Sequence, residues 1–106
     1  MDILGTLYKA YEATAETDVK LKHCDGYCDH TIRVCVVDEC RQRDDMNKGD
    51  SKSFKKKVMR HEVIHAFLYE SGLAENSKWA MDEEMVDWIA HQFPKILKTF
   101  QTLNCL

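Results

Sequence analysis

Proline, glycine and long apolar runs are scarce in this sequence. One proline and four glycines among 106 residues exclude a collagen-like chain, and 44% hydrophobic against 31% charged residues excludes a disordered one. No apolar run approaches the roughly 20 residues of a membrane-spanning helix, so we expect no membrane partner. Positive charge is not in excess either, because the formal net charge is −3, and we expect no nucleic-acid partner. The length predicts a single domain over residues 1–106.

Two further features favour a reducing cytoplasm. The first residues lack the basic segment and apolar core of a secretory signal. Five cysteines are an odd number, which would leave one thiol unpaired in a disulfide framework. The spacings also lack the two tight pairs of a closed zinc site, so three alternatives stay open: ordinary thiols, a disulfide from Cys24 to Cys28 or Cys40, and a second zinc site. The other two cysteines are Cys35, inside an apolar run, and Cys105, expected to be a free thiol.

The N-terminal half carries mixed signals for secondary structure. Apolar residues at helical spacing predict a first helix from Ile3 to about Thr17. Alternation predicts a strand over Val19–His23, and a β-rich run predicts another over Thr31–Val37. We expect these two strands to pair as a hairpin, with a turn at Asp25-Gly26 between them. The polar segment Arg41–Lys52 is typical of an exposed loop.

Two longer helices are predicted in the C-terminal half. One begins at Ser51 or Ser53 and ends at Gly72, since a glycine just past the last periodic residue is a common helix end. Its middle is apolar on nearly every side, which is typical of a central helix. The other begins near residue 76 and continues towards residue 103, and Pro94 should kink or split it. Together these elements predict an α+β fold.

The central helix contains an HExxH sequence, His61-Glu62-Val63-Ile64-His65. Because a helix has 3.6 residues per turn, His61 and His65 lie on one face and can bind one zinc ion. Glu62 is rotated by about 100° from His61 and can act as general base for a water that the metal activates. The alternative is a pair of ordinary core or surface histidines, but two stacked imidazoles over an acid in an apolar helix are hard to satisfy without metal.

The acidic segment that starts the third helix offers a third ligand, which catalytic zinc usually has. Glu83 lies at the margin of the predicted core face, whereas Glu84 points roughly away from it, so Glu83 is the expected ligand. Asp87, one turn later, could accept the second N–H of a ligand histidine. The alternative is a helical first turn whose negative charges suit the helix dipole. The predicted core face consists of Val86, Ile89, Ala90, Phe93, Leu97 and Phe100.

These motifs resemble a known family. HExxH followed by Asp82-Glu83-x-x-x-Asp87 is similar to the HExxH and Asn-Glu-x-x-x-Asp segments of the glutamate-zincin metallopeptidases. The strings His61–Gly72 and Glu83–Ala90 resemble small metallopeptidase-like proteins of phages and mobile elements, distantly related to the ImmA/IrrE-like peptidases. The resemblance covers roughly residues 54–97, which is under half of the chain.

The resemblance implies a minimal zincin fold, in which a small hairpin or sheet packs on an active-site helix and a ligand-bearing helix. It implies one zinc ion per chain, and hydrolysis of a protein or peptide bond in the cytoplasm of a bacterial or phage-infected cell. The alternative is a zinc-stabilised protein-interaction module whose site is catalytically idle. The implied residues are His61, His65 and Glu83 as ligands, Glu62 as general base and Asp87 as the partner of a ligand histidine.

Two parts of the implied site stay open. No histidine or tyrosine clearly serves to stabilise an oxyanion, and the candidates are His30, His91, Tyr27 and Tyr69. In such folds an edge strand often receives the peptide through main-chain hydrogen bonds, and Thr31–Val37 is the candidate strand.

Overall fold

The computed structural model describes residues 1–39 and 51–106, which form an α+β fold. The predicted α+β class is therefore confirmed. Residues 41–50 of the predicted loop Arg41–Lys52 lie outside the described residues, and its last two residues are helical rather than loop. The strands are β1 Asp2–Ile3, β2 Thr6–Leu7, β3 Lys9–Ala13, β4 Gly26–Asp29 and β5 Val34–Asp38, and the helices are α1 Ser51–Glu70, α2 Leu73–Asn76 and α3 Glu83–Thr102. None of these helices combines the length and apolar character needed to cross a membrane.

The predicted helix over Ile3–Thr17 is wrong, because this segment forms a small hairpin and then a strand. β1 pairs antiparallel with β2, and Ile3 stands opposite Thr6. The two residues between them, Leu4 and Gly5, have φ angles of 50° and 91°, which suit a tight hairpin turn and end any helix. The helical spacing of apolar residues was misleading, since Leu4 is exposed while Ile3 is buried.

β5 is the central strand of a three-stranded sheet with the order β3-β5-β4. It runs parallel to β3 and antiparallel to β4. The strand predicted over Thr31–Val37 is confirmed in outline by β5, but its predicted role as an edge strand is wrong. In the sheet formed by the described residues, the edges are β3 and β4.

The strand predicted over Val19–His23 is wrong. Val19–Lys22 forms a 3-10 turn, and the side chain of Asp18 caps it by accepting a hydrogen bond from the Lys20 N–H at 3.1 Å. Only Leu21 of this turn is buried. Five alternating residues cannot distinguish a half-buried strand from a turn that inserts one side chain into the core. The hairpin partner of β5 is consequently β4 rather than this segment.

The sheet has apolar contacts on both faces. On one face Cys35 packs with Ile3 and Tyr8 against Ala66 of α1. On the other face Val36 packs with Leu21 of the 3-10 turn. All five residues of β5 are buried, as expected for a strand that is covered on both faces and paired on both edges.

The prediction for α1 is confirmed. The helix spans Ser51–Glu70, and Gly72 follows with a φ of 83°, the left-handed conformation that glycine adopts without strain. The Gly72 N–H donates to the carbonyl of Tyr69 at 3.0 Å, which closes the last turn. The sequence signals at both ends therefore placed this helix within a few residues.

The predicted start of α3 is wrong, because short α2 and a 3-10 turn over Lys78–Met81 precede it. Asp82 caps α3, and its carboxylate accepts a hydrogen bond from the Glu84 N–H at 2.9 Å. The helix continues through Pro94 to Thr102, so the predicted split at the proline does not occur. The predicted core face is only half buried, since Val86 and Ala90 are enclosed while Phe93 and Phe100 are largely exposed.

Candidate metal centre

Two histidines of α1 and a glutamate of α3 converge on one point. His61 Nε2 lies 2.9 Å from Glu83 Oε2, and His65 Nε2 lies 3.0 Å from Glu83 Oε1. The two imidazole Nε2 atoms are 3.1 Å apart. Their ligand atoms all lie within 4.8 Å of one another, so the structure brings together the three residues expected as metal ligands. It leaves Glu84 out of this group, as the helical geometry predicted.

The spacing of these atoms fits a small cation. Ligand atoms that each lie about 2.1 Å from a tetrahedral zinc ion are roughly 3.4 Å from one another. The two imidazole nitrogens are 3.1 Å apart, and they lie 2.9 and 3.0 Å from the two different carboxylate oxygens of Glu83, so each distance is only a few tenths of an ångström shorter. The two imidazoles and the carboxylate would therefore hold such an ion after small side-chain shifts.

Asp87 contacts the ring nitrogen of His61 that points away from Glu83. Its Oδ1 atom lies 3.1 Å from His61 Nδ1 and 2.9 Å from Lys57 Nζ. The hydrogen bond from Lys57 lowers the pKa of Asp87, so the carboxylate is ionised and accepts the Nδ1–H of His61. The other ring nitrogen of His61, Nε2, faces the carboxylate of Glu83 at 2.9 Å. An unprotonated ring nitrogen and a carboxylate oxygen that face each other need a proton or a metal cation between them, and the donor set is therefore suited to a metal.

Glu62 is the buried acid of this site. The residue is only 8% exposed. Burial raises the pKa of its carboxyl group to about 7, although the nearby His61 lowers this pKa by a smaller amount. It shares a cavity of about 310 Å³ with His61, His65 and Glu83 without belonging to the group of ligand atoms. A carboxyl group with this pKa can take up and release a proton near neutral pH.

Gly26 forms part of the cavity wall, and sequence reasoning missed its importance. A Cβ atom at this position would meet Val58 Cγ1 at 2.7 Å and the carbonyl oxygen of Val36 at 2.9 Å. It would also lie 3.5 Å from Glu62 Cγ, so β4 approaches α1 at Glu62 as closely as only glycine permits. The Asp25-Gly26 pair had the appearance of a turn, and no signal in a single sequence separates that from a close approach.

The structure separates the four candidates for an oxyanion stabiliser. Tyr69 lines the 310 Å³ cavity beside the histidines and Glu62. The hydroxyl of Tyr27 donates to Asp18 at 2.5 Å, and His91 lines a wider cavity of about 540 Å³ next to Trp88. His30 lies behind Tyr69, with ring centroids 4.0 Å apart.

The four cysteines among the described residues do not join the metal ligands. Cys24, Cys28, Cys35 and Cys105 are free thiols, so the disulfide between Cys24 and Cys28 is absent. Cys40 lies outside the described residues. In the described part of the chain, His61, His65 and Glu83 form the one group of side chains that could hold a metal ion, which leaves no second site among those residues.

Fold and site together define a small α+β protein with a His-His-Glu cluster that could hold a metal. Comparisons with protein-family models, with curated proteins and with solved structures find no match. The interpretation of the site therefore depends on its own geometry and chemistry.

Proposed function

We propose that this protein is a zinc-dependent peptidase that hydrolyses a bond in a protein or peptide. One observation carries the proposal: the ligand atoms of His61, His65 and Glu83 converge within 4.8 Å, and the buried carboxyl group of Glu62 lies in the same cavity. A closed structural zinc site has no need of a buried acid that does not bind the metal. The resemblance of the HExxH segment to metallopeptidases supports the same function.

The residues divide the chemistry between them. Bound zinc would lower the pKa of a water molecule and polarise the carbonyl group of the substrate. Glu62, as the carboxylate, accepts a proton from the attacking water and returns it to the leaving amine. A pKa of about 7 suits both steps, because the group exchanges protons readily at neutral pH. Asp87 and Lys57 hold the His61 ring so that its Nε2 stays available for the metal.

Strand β4 provides a place for an extended peptide. It forms an edge of the sheet among the described residues, and Gly26, Tyr27 and Cys28 of this strand line the cavity that contains Glu62. A peptide that added to this edge would gain main-chain hydrogen bonds beside the metal ligands. The proposed substrate is therefore an extended segment of a protein or peptide.

The test combines metal content with cleavage. We expect elemental analysis to find one zinc ion per chain in the wild type and in Glu62→Gln, because Glu62 is not a ligand. We expect the wild type to cleave a proteome-derived peptide library and Glu62→Gln to be inactive, since the proton acceptor is missing. Glu75→Gln is the matched control, because Glu75 is an exposed acid on α2.

Two results would contradict the proposal. Identical cleavage profiles for the wild type and Glu62→Gln would reject the peptidase and favour an interaction module with an idle site. Full zinc occupancy in His65→Ala would reject the ligand set.

A further inference from the structure

Tyr69 extends the row of functional side chains along α1. It follows His65 by four residues, as His65 follows His61. At about 100° per residue, His65, Tyr69 and Glu62 lie about 40°, 80° and 100° around the helix axis from His61. Viewed down the helix axis, Tyr69 therefore lies between the directions of His65 and Glu62, one turn beyond His65, and it lines their cavity.

His30 holds the ring of Tyr69 from the side of the sheet. It directly follows β4, and the two rings stack with centroids 4.0 Å apart and planes at 14°. Parallel stacking restricts rotation of the tyrosine ring. The phenol group is thus fixed between α1 and the end of the same strand that forms the cavity wall.

The hydroxyl of Tyr69 is available to a ligand. In residues 1–39 and 51–106, the hydroxyls of two other tyrosines are engaged by carboxylates: Tyr8 donates to Glu70 at 2.8 Å and Tyr27 donates to Asp18 at 2.5 Å. No hydrogen bond joins the Tyr69 hydroxyl to another residue of these segments. A half-buried donor that lines a cavity with Glu62 can bind a substrate oxygen there.

We propose that Tyr69 is a catalytic residue that donates a hydrogen bond to the oxygen of the reacting carbonyl group, and that His30 is its positioning residue. The inference rests on the proposed function. As water attacks, the new C–O bond forms and negative charge develops on the carbonyl oxygen. When the C–N bond breaks, the proton held by Glu62 moves to the leaving amine. Tyr69 keeps its own proton and stabilises the charge, as a fixed donor does in an oxyanion hole.

The first measurement is steady-state kinetics on a cleaved peptide. Tyr69→Phe preserves the ring that stacks on His30 but lacks the hydroxyl, so we expect kcat to fall by roughly 100-fold with little change in KM or zinc content. Tyr11→Phe is the control, because Tyr11 is an exposed residue of β3 at the opposite edge of the sheet, and kcat should stay within about two-fold. His30→Ala should lower kcat, whereas His30→Phe should restore it by restoring the stack.

The second measurement does not depend on cleavage. N-phosphoryl-leucinamide carries tetrahedral phosphoryl oxygens that resemble a hydrated carbonyl group. Calorimetry on the zinc-loaded protein should show that Tyr69→Phe binds this compound roughly 10- to 100-fold more weakly than the wild type, because a charged acceptor loses its donor. Melting temperatures of the variants report whether each one is folded.

The outcomes separate the inference from the proposed function. If Glu62→Gln is inactive while Tyr69→Phe keeps wild-type kcat and phosphoryl affinity, Tyr69 has no catalytic role although the peptidase stands. If the wild type cleaves nothing but Tyr69→Phe loses phosphoryl affinity, the donor role survives and the peptidase proposal fails. A wild type that neither cleaves nor binds the compound overturns both.

Discussion

The burial of Glu62 lowers the stability of the folded protein when its carboxyl group is ionised. Its carboxyl group is buried, and burial raises its pKa from 4.5 to about 7. Between these two pH values the folded protein binds more protons than the unfolded chain does. The free energy of unfolding therefore falls as the pH rises from about 4.5 to about 7. At higher pH the protein carries the full cost of an ionised carboxylate away from water.

We predict that Glu62→Gln stabilises the metal-free protein at high pH. Glutamine has the same shape and no charge, so at pH 8 the free energy of unfolding should exceed that of the wild type by roughly 2–3 kcal/mol. At pH 4.5 the difference should shrink to a few tenths, because Glu62 is then protonated in the folded state. Urea denaturation at both pH values, with a chelator present, measures this change.

The control for this prediction is Glu75→Gln, which removes a charge from an exposed position on α2. It should change stability equally at both pH values. A Glu62→Gln effect that is independent of pH would show that the carboxyl group titrates as it does in water.

The His-His-Glu residues and Glu62 could be predicted from sequence, whereas Gly26 could not, and Tyr69 could not be separated from three other candidates. His61, Glu62 and His65 follow from helical spacing, and Glu83 follows from its place on the predicted helix. Gly26 and Tyr69 matter through contacts with parts of the chain that are distant in sequence, at Val58 and at His30. Such contacts leave no periodic pattern for a single sequence to show.

α1 and α3 are joined at the point where Pro94 interrupts the hydrogen bonds of α3. Proline has no N–H, so the carbonyl group of Ala90, four residues earlier, loses its helical donor. The side chain of Arg60 donates to this carbonyl oxygen at 2.6 Å from Nε. Because Ala90 is fully buried, water is a poor substitute for this donor. Arg60 therefore satisfies the group that the proline leaves without a partner, and it ties α3 to α1 next to His61.

We predict that substitutions at Arg60 and Pro94 are coupled. Arg60→Ala should lower the free energy of unfolding by roughly 1–3 kcal/mol, because a buried carbonyl is left unsatisfied. In the Pro94→Ala background the new N–H can bind Ala90, so the same substitution should cost about 1 kcal/mol less. Chemical denaturation of the four proteins in the cycle gives the coupling energy. Strictly additive effects would mean that Arg60 contributes only by packing.

The elements themselves differ in how well the sequence predicted them. α1 carries a long apolar pattern and is followed by a glycine, and these local signals were enough to predict the helix and its end. The N-terminal strands are two to five residues long, and β3 pairs with β5 more than 20 residues later in the chain. Patterns that short match helix and strand equally well, and the choice is made by a partner strand that the local sequence does not reveal.

The proposed metal connects parts of the molecule that are separate in the chain. His65 on α1 and Glu83 on α3 are 18 residues apart, and α2 and a 3-10 turn lie between them. An ion bound by both helices stabilises only the folded arrangement, because the unfolded chain does not hold the ligands together.

We predict that zinc raises the thermal stability of the protein through this cluster. At a free zinc concentration 1,000 times the Kd, the free energy of unfolding should increase by about 4 kcal/mol, and a chelator should reverse the change. Differential scanning fluorimetry across a zinc titration measures the shift in Tm. His65→Ala removes one ligand, and its Tm should respond far less. An equal response in His65→Ala would place the zinc elsewhere.

The open edge of β4 also has a consequence for solubility. An unpaired strand edge can pair with a strand of another copy, which is a common start of aggregation. β4 is only four residues long, and acidic residues stand at its two ends, Asp25 just before it and Asp29 as its last residue. The hydrogen bond from Thr31 lowers the pKa of Asp29 to about 2, so this charge persists even in acid. The strand is thus short and flanked by acidic residues, two features that discourage pairing with another copy.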